Sequence, residues 1–149
     1  MANTTRNLMN ALTGITEKER KMKALTFDGI NLKEVNITTE DPYDFVRDWV
    51  GGYIENIPML SLSGLDMWCN EEGKLIGLMP TMALTYKGEL YDVVCGNACI
   101  LGHDSEGNMT GLSDENIERV KKVFDKCGYV FIPRLGINLQ SLRYEVVQL

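Results

Sequence analysis

The chain is 149 residues long, the size of one domain built on one hydrophobic core. Its 44% hydrophobic and 24% charged residues exclude a disordered chain, because folding buries enough apolar surface to offset the ordering entropy. With 21 acidic against 15 basic residues and a net charge of −6, it lacks the clustered cations that displace counterions from phosphates, which excludes direct nucleic-acid binding.

Residues 1–21 read as an N-terminal arm, followed by a single α+β domain over 22–149. In the arm Leu8, Met9, Leu12 and Ile15 recur at helical spacing, and Glu17-Lys18-Glu19-Arg20-Lys21 is a solvated charge run. Lys23–Phe27 then reads as a strand, Asp28-Gly29 as a hairpin turn, and 31–37 as the returning strand. Asp41 is placed to cap a helix, Pro42 suits its first position, and Phe45, Val46, Trp49 and Val50 form its buried stripe. Gly51-Gly52 ends it. Residues 53–58 read as a strand, and 65–69 and 74–78 as a hairpin around Asn70-Glu71-Glu72-Gly73. Residues 89–101 are strand-rich with a break at Gly96. Ser113 caps a second helix over 114–126, with Ile117, Val120, Val123 and Phe124 facing inward and Cys127-Gly128 as the stop. Residues 129–132 and 142–147 read as closing strands. This order predicts a single mixed, mainly antiparallel sheet packed by two helices.

No run of about 18 apolar residues exists to span a membrane. The first 21 residues lack a signal-peptide core, so the four cysteines read as reduced thiols of a cytoplasmic protein. Cys95, Cys99 and His103 are spaced by four and would converge on zinc from a helix. Their β-branched, glycine-interrupted surroundings read as a strand instead, where such neighbours lie about 13 Å apart at roughly 3.3 Å per residue. Extended geometry rules out that metal site unless Gly96 bends sharply. His103 is the only histidine, in a turn-rich stretch with Asp104 or Glu106 as its orienter, and reads as part of an exposed loop. Gly51-Gly52 follows a helix, whereas anion loops precede one. No catalytic residue, metal or cofactor is therefore expected, and activity is expected to rest on surface fit.

Two groups of polar residues are candidates for that surface. Glu40, Asp44 and Asp48 recur at spacings of four as an acidic ridge, relieved by Arg47. The ridge reads either as a solvated face or as a contact for a basic partner. Tyr53 and Glu55 share one face of their strand, and with Trp68, Asn70, Glu71 and Lys74 they suggest a shallow polar ligand site. Tyr53, Trp68, Lys74 and Asn97 are the candidates for stacking on, and donating to, a small nucleotide.

At Val50-Gly51-Gly52-Tyr53-Ile54-Glu55 and Asn70-Glu71-Glu72-Gly73-Lys74-Leu75-Ile76-Gly77 the chain resembles a family of short proteins known only as a domain of unknown function. Its members are common in phages, prophages and plasmids. Met22-Lys23-Ala24-Leu25, Asp92-Val93-Val94-Cys95-Gly96 and Leu112-Ser113-Asp114-Glu115-Asn116-Ile117 extend the resemblance over roughly 22–126. Members often carry Pro-Asn-Arg where this chain has Pro80-Thr81-Met82, so that pair's role does not transfer. Some relatives are associated with blocking RNA-guided nuclease immunity. The resemblance implies a mobile-element accessory protein whose partner is a host defence protein, a nucleic-acid-binding effector among the options, or a small nucleotide signal. Either partner is compatible with a homo-oligomer.

Overall fold

The computed structural model describes residues 22–58 and 64–143; the expected N-terminal arm lies outside them. Within this region β1 (Lys23–Phe27) and β2 (Leu32–Asn36) form the expected hairpin. The Asp28 carboxylate turns the chain by accepting the N–H groups of Ile30 at 2.8 Å and Asn31 at 2.7 Å. Those bonds, that from Asn31 first, hold the carboxyl below its ordinary range. Helix α1 (Pro42–Val50) begins where Asp41 accepts from the Tyr43 N–H at 2.9 Å. It ends at Gly51, whose φ of 82° lies in the left-handed region that costs glycine nothing.

β3 (Ile54–Pro58), β4 (Leu65–Asn70), β5 (Pro80–Tyr86), β6 (Glu89–Cys95) and β7 (Ala98–His103) follow, then the short β8 (Met109–Thr110). Helix α2 (Asp114–Lys126) starts where the Ser113 hydroxyl accepts from the Asn116 N–H at 3.1 Å. β9 (Tyr129–Ile132) and β10 (Ile137–Arg143) close the described chain.

The strands form two sheets, which corrects the expectation of one. The first has the order β2-β1-β7-β4-β3, with β8 beside β7; the second has the order β6-β5-β10-β9. All described pairings are antiparallel except β5 with β10. The cause lies in β5, where no strand was expected. Thr81, Met82, Ala83, Leu84 and Thr85 are all buried, so the segment shows none of the alternation that marks a half-exposed strand. Two further readings change with it. Residues 71–77 form turns, and the closing strand, expected over 142–147, already begins at Ile137 and runs to Arg143, with 144–147 outside the described residues.

Side chains of the first sheet alternate between two cores. Leu25, Phe27, Leu65, Met67, Ala98 and Ile100 face Met82, Leu84 and Leu142 of the second sheet together with Ile117, Val120 and Phe124 of α2. Ala24, Cys99, Leu101 and half-buried Trp68 face the other way, onto Val46 and Val50 of α1. The period of two along β1, β4 and β7 is the ordinary strand geometry with both faces covered. Three layers result, with the first sheet in the middle, and α1 lies across β3, β4 and β7. No described helix is long and apolar enough to cross a membrane.

Candidate functional site

The C-terminal carbonyls of a helix have no partner within it and need one from elsewhere. Asn70, at the end of β4, donates from Nδ2 to the Val50 carbonyl at 3.0 Å and accepts the Glu72 N–H on Oδ1 at 2.8 Å. Asn97, between β6 and β7, donates to the Trp49 carbonyl at 3.0 Å, while the Trp49 indole donates to the Ala98 carbonyl at 2.6 Å. Both asparagines thus fasten the end of α1 to the first sheet.

Beyond Asn70 the chain folds into tight turns. Ile76 N–H donates to the Glu72 carbonyl at 3.0 Å and Leu78 N–H to the Gly73 carbonyl at 2.9 Å, so residues 74–78 cannot supply a strand ladder. Gly73 is required by a close approach: a Cβ there would stand 2.5 Å from the Cys95 carbonyl oxygen. The turn therefore presses on the corner between β6 and β7, where the Gly96 N–H donates to the Met79 carbonyl at 2.8 Å.

Between this turn, β3 and β6 lies a cleft of about 310 Å³ whose lining includes Glu55, Glu71, Lys74 and Asp92, with Cys69 and Cys95 beneath. Lys74 pairs with Asp92 across the gap between the two sheets. Three carboxylates against one ammonium leave the cleft acidic. The turn directs its apolar side chains outward: Leu75 is 86% exposed, Met79 73% and Ile76 56%. Tyr53, 73% exposed, stands at the start of the turn, where its carbonyl accepts the Glu71 N–H at 2.9 Å.

The structure thus gathers Glu55, Asn70, Glu71 and Lys74, with Tyr53 at their side, and separates Trp68 and Asn97 from them. Trp68 belongs to the layer under α1, where its ring meets Tyr43 edge-on with centroids 6.4 Å apart. Its indole N–H is buried with no hydrogen-bond partner among the described residues. Asp44 and Asp48 lie on α1 and Glu40 just ahead of it. Arg47 pairs with Asp44 and approaches Asp41 at 3.8 Å, which weakens the ridge as a source of negative field.

His103 is the last residue of β7, not part of a loop, and neither Asp104 nor Glu106 orients it. Its Nδ1 lies 2.8 Å from Oδ2 of nearly buried Asp66, whose Oδ1 accepts from Asn56 Nδ2 at 3.1 Å. Asp104 instead closes the following turn by accepting the Glu106 and Asn108 N–H groups, each at 2.9 Å. Cys95 and Cys99 flank the bend at Gly96 but enter different packing clusters. Among the described residues no three metal-ligating side chains gather.

Burial pushes the thiols of Cys69 and Cys99 up to about 12, and raises those of Cys95 and Cys127 as well. A thiol that stays protonated is a poor nucleophile. At pH 8 an aromatic disulfide reagent is therefore expected to leave Cys69 and Cys99 unmodified and to reach the half-buried Cys95 and Cys127 slowly, with all four reacting in denaturant. Mass spectrometry of the labelled peptides reads the outcome, and rapid native labelling of Cys69 would contradict the packing of the cleft floor.

The apolar tip and Asp92 escaped the sequence reading. Leu75-Ile76-Gly77-Leu78-Met79 has strand-like composition, and the signal against a strand was Gly73, read as a turn glycine of a hairpin.

A family model described as Domain of unknown function (DUF3846) matches residues 22–125. The chain belongs to this family. No curated protein and no solved structure matches it. The DUF3846 span runs from Met22, the residue before β1, through all but the last residue of α2. It stops short of β9 and β10, although β10 pairs with β5 inside it through Ser141–Ala83, Leu142–Leu84 and Arg143–Thr85. The acidic cleft and the apolar tip fall wholly within the span.

Proposed function

We propose that this DUF3846 protein works by binding a protein partner, without catalysis, and that its contact surface is the 71–79 turn with the acidic cleft beside it. One observation carries the reading: Leu75, Ile76 and Met79 are exposed on one turn, and Leu75 and Glu71 of that turn line the same cleft as Glu55 and Asp92. Apolar side chains grouped at a surface and rimmed by charge are characteristic of interfaces, because water excluded on docking supplies the driving force. The rim selects the partner's sign. Lys74 is already matched by Asp92, so the remaining carboxylates favour a basic surface carrying an apolar pocket.

The resemblance to mobile-element proteins makes a host immune effector the proposed partner, since an effector that handles nucleic acid has a basic groove. The turn is preferred to the α1 ridge because Arg47 offsets the ridge internally.

Two measurements separate the parts of this proposal. The protein is expressed in cells with an RNA-guided nuclease system and challenged with a targeted plasmid; protection of the plasmid is expected. Leu75→Asp with Ile76→Asp should lower protection about thirtyfold or more, on the scale of interface hot spots near 2 kcal/mol, with the melting temperature unchanged because both side chains are exposed. Absence of protection by the parent chain would remove the immune-effector partner. Full protection by the double variant would remove the turn as its contact.

A further inference from the structure

The end of α2 and the adjoining ends of β5 and β10 enclose a second cavity, of about 480 Å³, whose lining includes Thr85, Lys126, Cys127, Ser141, Leu142 and Arg143. Its electrostatics oppose those of the chain as a whole. The protein carries a net charge of −6, yet among the described residues this lining holds two cations and no carboxylate. Where carboxylates are near, cations of this chain pair with them: Lys23 with Asp114, Arg47 with Asp44 and Lys74 with Asp92. Among the described residues Lys126 and Arg143 make no ion pair.

The C-terminus of a helix ordinarily repels anions through its free carbonyls. Here that field is reduced. The Phe124 carbonyl accepts from Gln140 Nε2 at 2.8 Å and from Cys127 Sγ at 3.0 Å, and the Val123 carbonyl accepts the Cys127 N–H at 3.0 Å. Lys126 could serve the helix end alone, but that role does not account for Arg143, which comes from β10.

We propose that this cavity binds a small phosphomonoester. Two cations match the dianion, a guanidinium fork suits its oxygens, and the apolar side chain of Leu142 suits the ester group. Both cations, Lys126 and Arg143, lie beyond the family match at 22–125, while Thr85 of the lining lies within it. It is independent of the protein-binding surface.

Nuclear magnetic resonance titration of the isotope-labelled chain tests it, with phenyl phosphate, inorganic phosphate and benzoate as probes. Phenyl phosphate is expected to give saturable shifts at the amides of 126–128 and 141–143, with a Kd of about 1 mM or tighter. Arg143→Gln and Lys126→Gln should each weaken it about tenfold. Arg134→Gln, which removes the same charge from the turn between β9 and β10, should leave it unchanged. The proposal is overturned by any of four results: no saturation, equal weakening by Arg134→Gln, benzoate binding as tightly, or inorganic phosphate binding as tightly.

Discussion

Replacing Phe27 with alanine is expected to lower stability by about 3–5 kcal/mol, the range for deleting a buried aromatic ring. Phe27 ends β1 on the face shared with the second sheet, is buried, and meets Phe124 of α2 edge-on with ring centroids 5.3 Å apart. The first sheet therefore loses contacts with both the second sheet and α2 at one position, and flanking β-strands leave little room to collapse into the void. Against a typical total of about 5–15 kcal/mol, the loss is a large fraction. The melting temperature should fall by about 6–20 °C, read by circular dichroism. Phe131→Ala supplies the comparison. That ring is exposed on β9, so its removal should cost less than about 1 kcal/mol. Equal costs for the two changes would mean that the sheets are not stacked through Phe27.

Asn70→Ala is expected to cost about 2–3 kcal/mol, because it leaves the buried Val50 carbonyl without its donor and strips the Glu72 N–H of its acceptor. Asn70→Asp should cost at least as much. A carboxylate still accepts from Glu72 but cannot donate to Val50, and it places negative charge against a carbonyl oxygen in a buried setting. The same variants decide whether Asn70 belongs to the binding surface. A structural asparagine lowers the melting temperature while the folded fraction binds as before. A contact asparagine does the reverse. The structural outcome is expected, since both ends of its amide are engaged within the chain.

Those two residues show where sequence was and was not sufficient. Asn70 was read as a candidate contact because an exposed polar turn is what Asn-Glu-Glu-Gly signals locally. Its actual partner, Val50, is 20 residues away at the end of a helix. His103 was misplaced for the same reason: its orienting carboxylate, Asp66, lies 37 residues earlier and reaches it only across the β4–β7 pairing. The cleft was partly legible. Glu55, Glu71 and Lys74 were identified, whereas Asp92 comes from the second sheet and the exposed Leu75, Ile76 and Met79 read as a strand.

The sequence alone determined the two helices, the β1–β2 hairpin and the break at Gly96. The helix starts and the hairpin turn rest on interactions within about four residues, such as Asp41 with Tyr43, Ser113 with Asn116 and Asp28 with Asn31, and the break on the positive φ that glycine takes at Gly96. Tertiary structure decided the division into two sheets. β5 is buried on both faces and pairs in parallel with β10, so its place depends on partners far along the chain and leaves no alternating pattern to read. That division sets Lys74 opposite Asp92, and so creates the acidic cleft on which the proposed partner would dock.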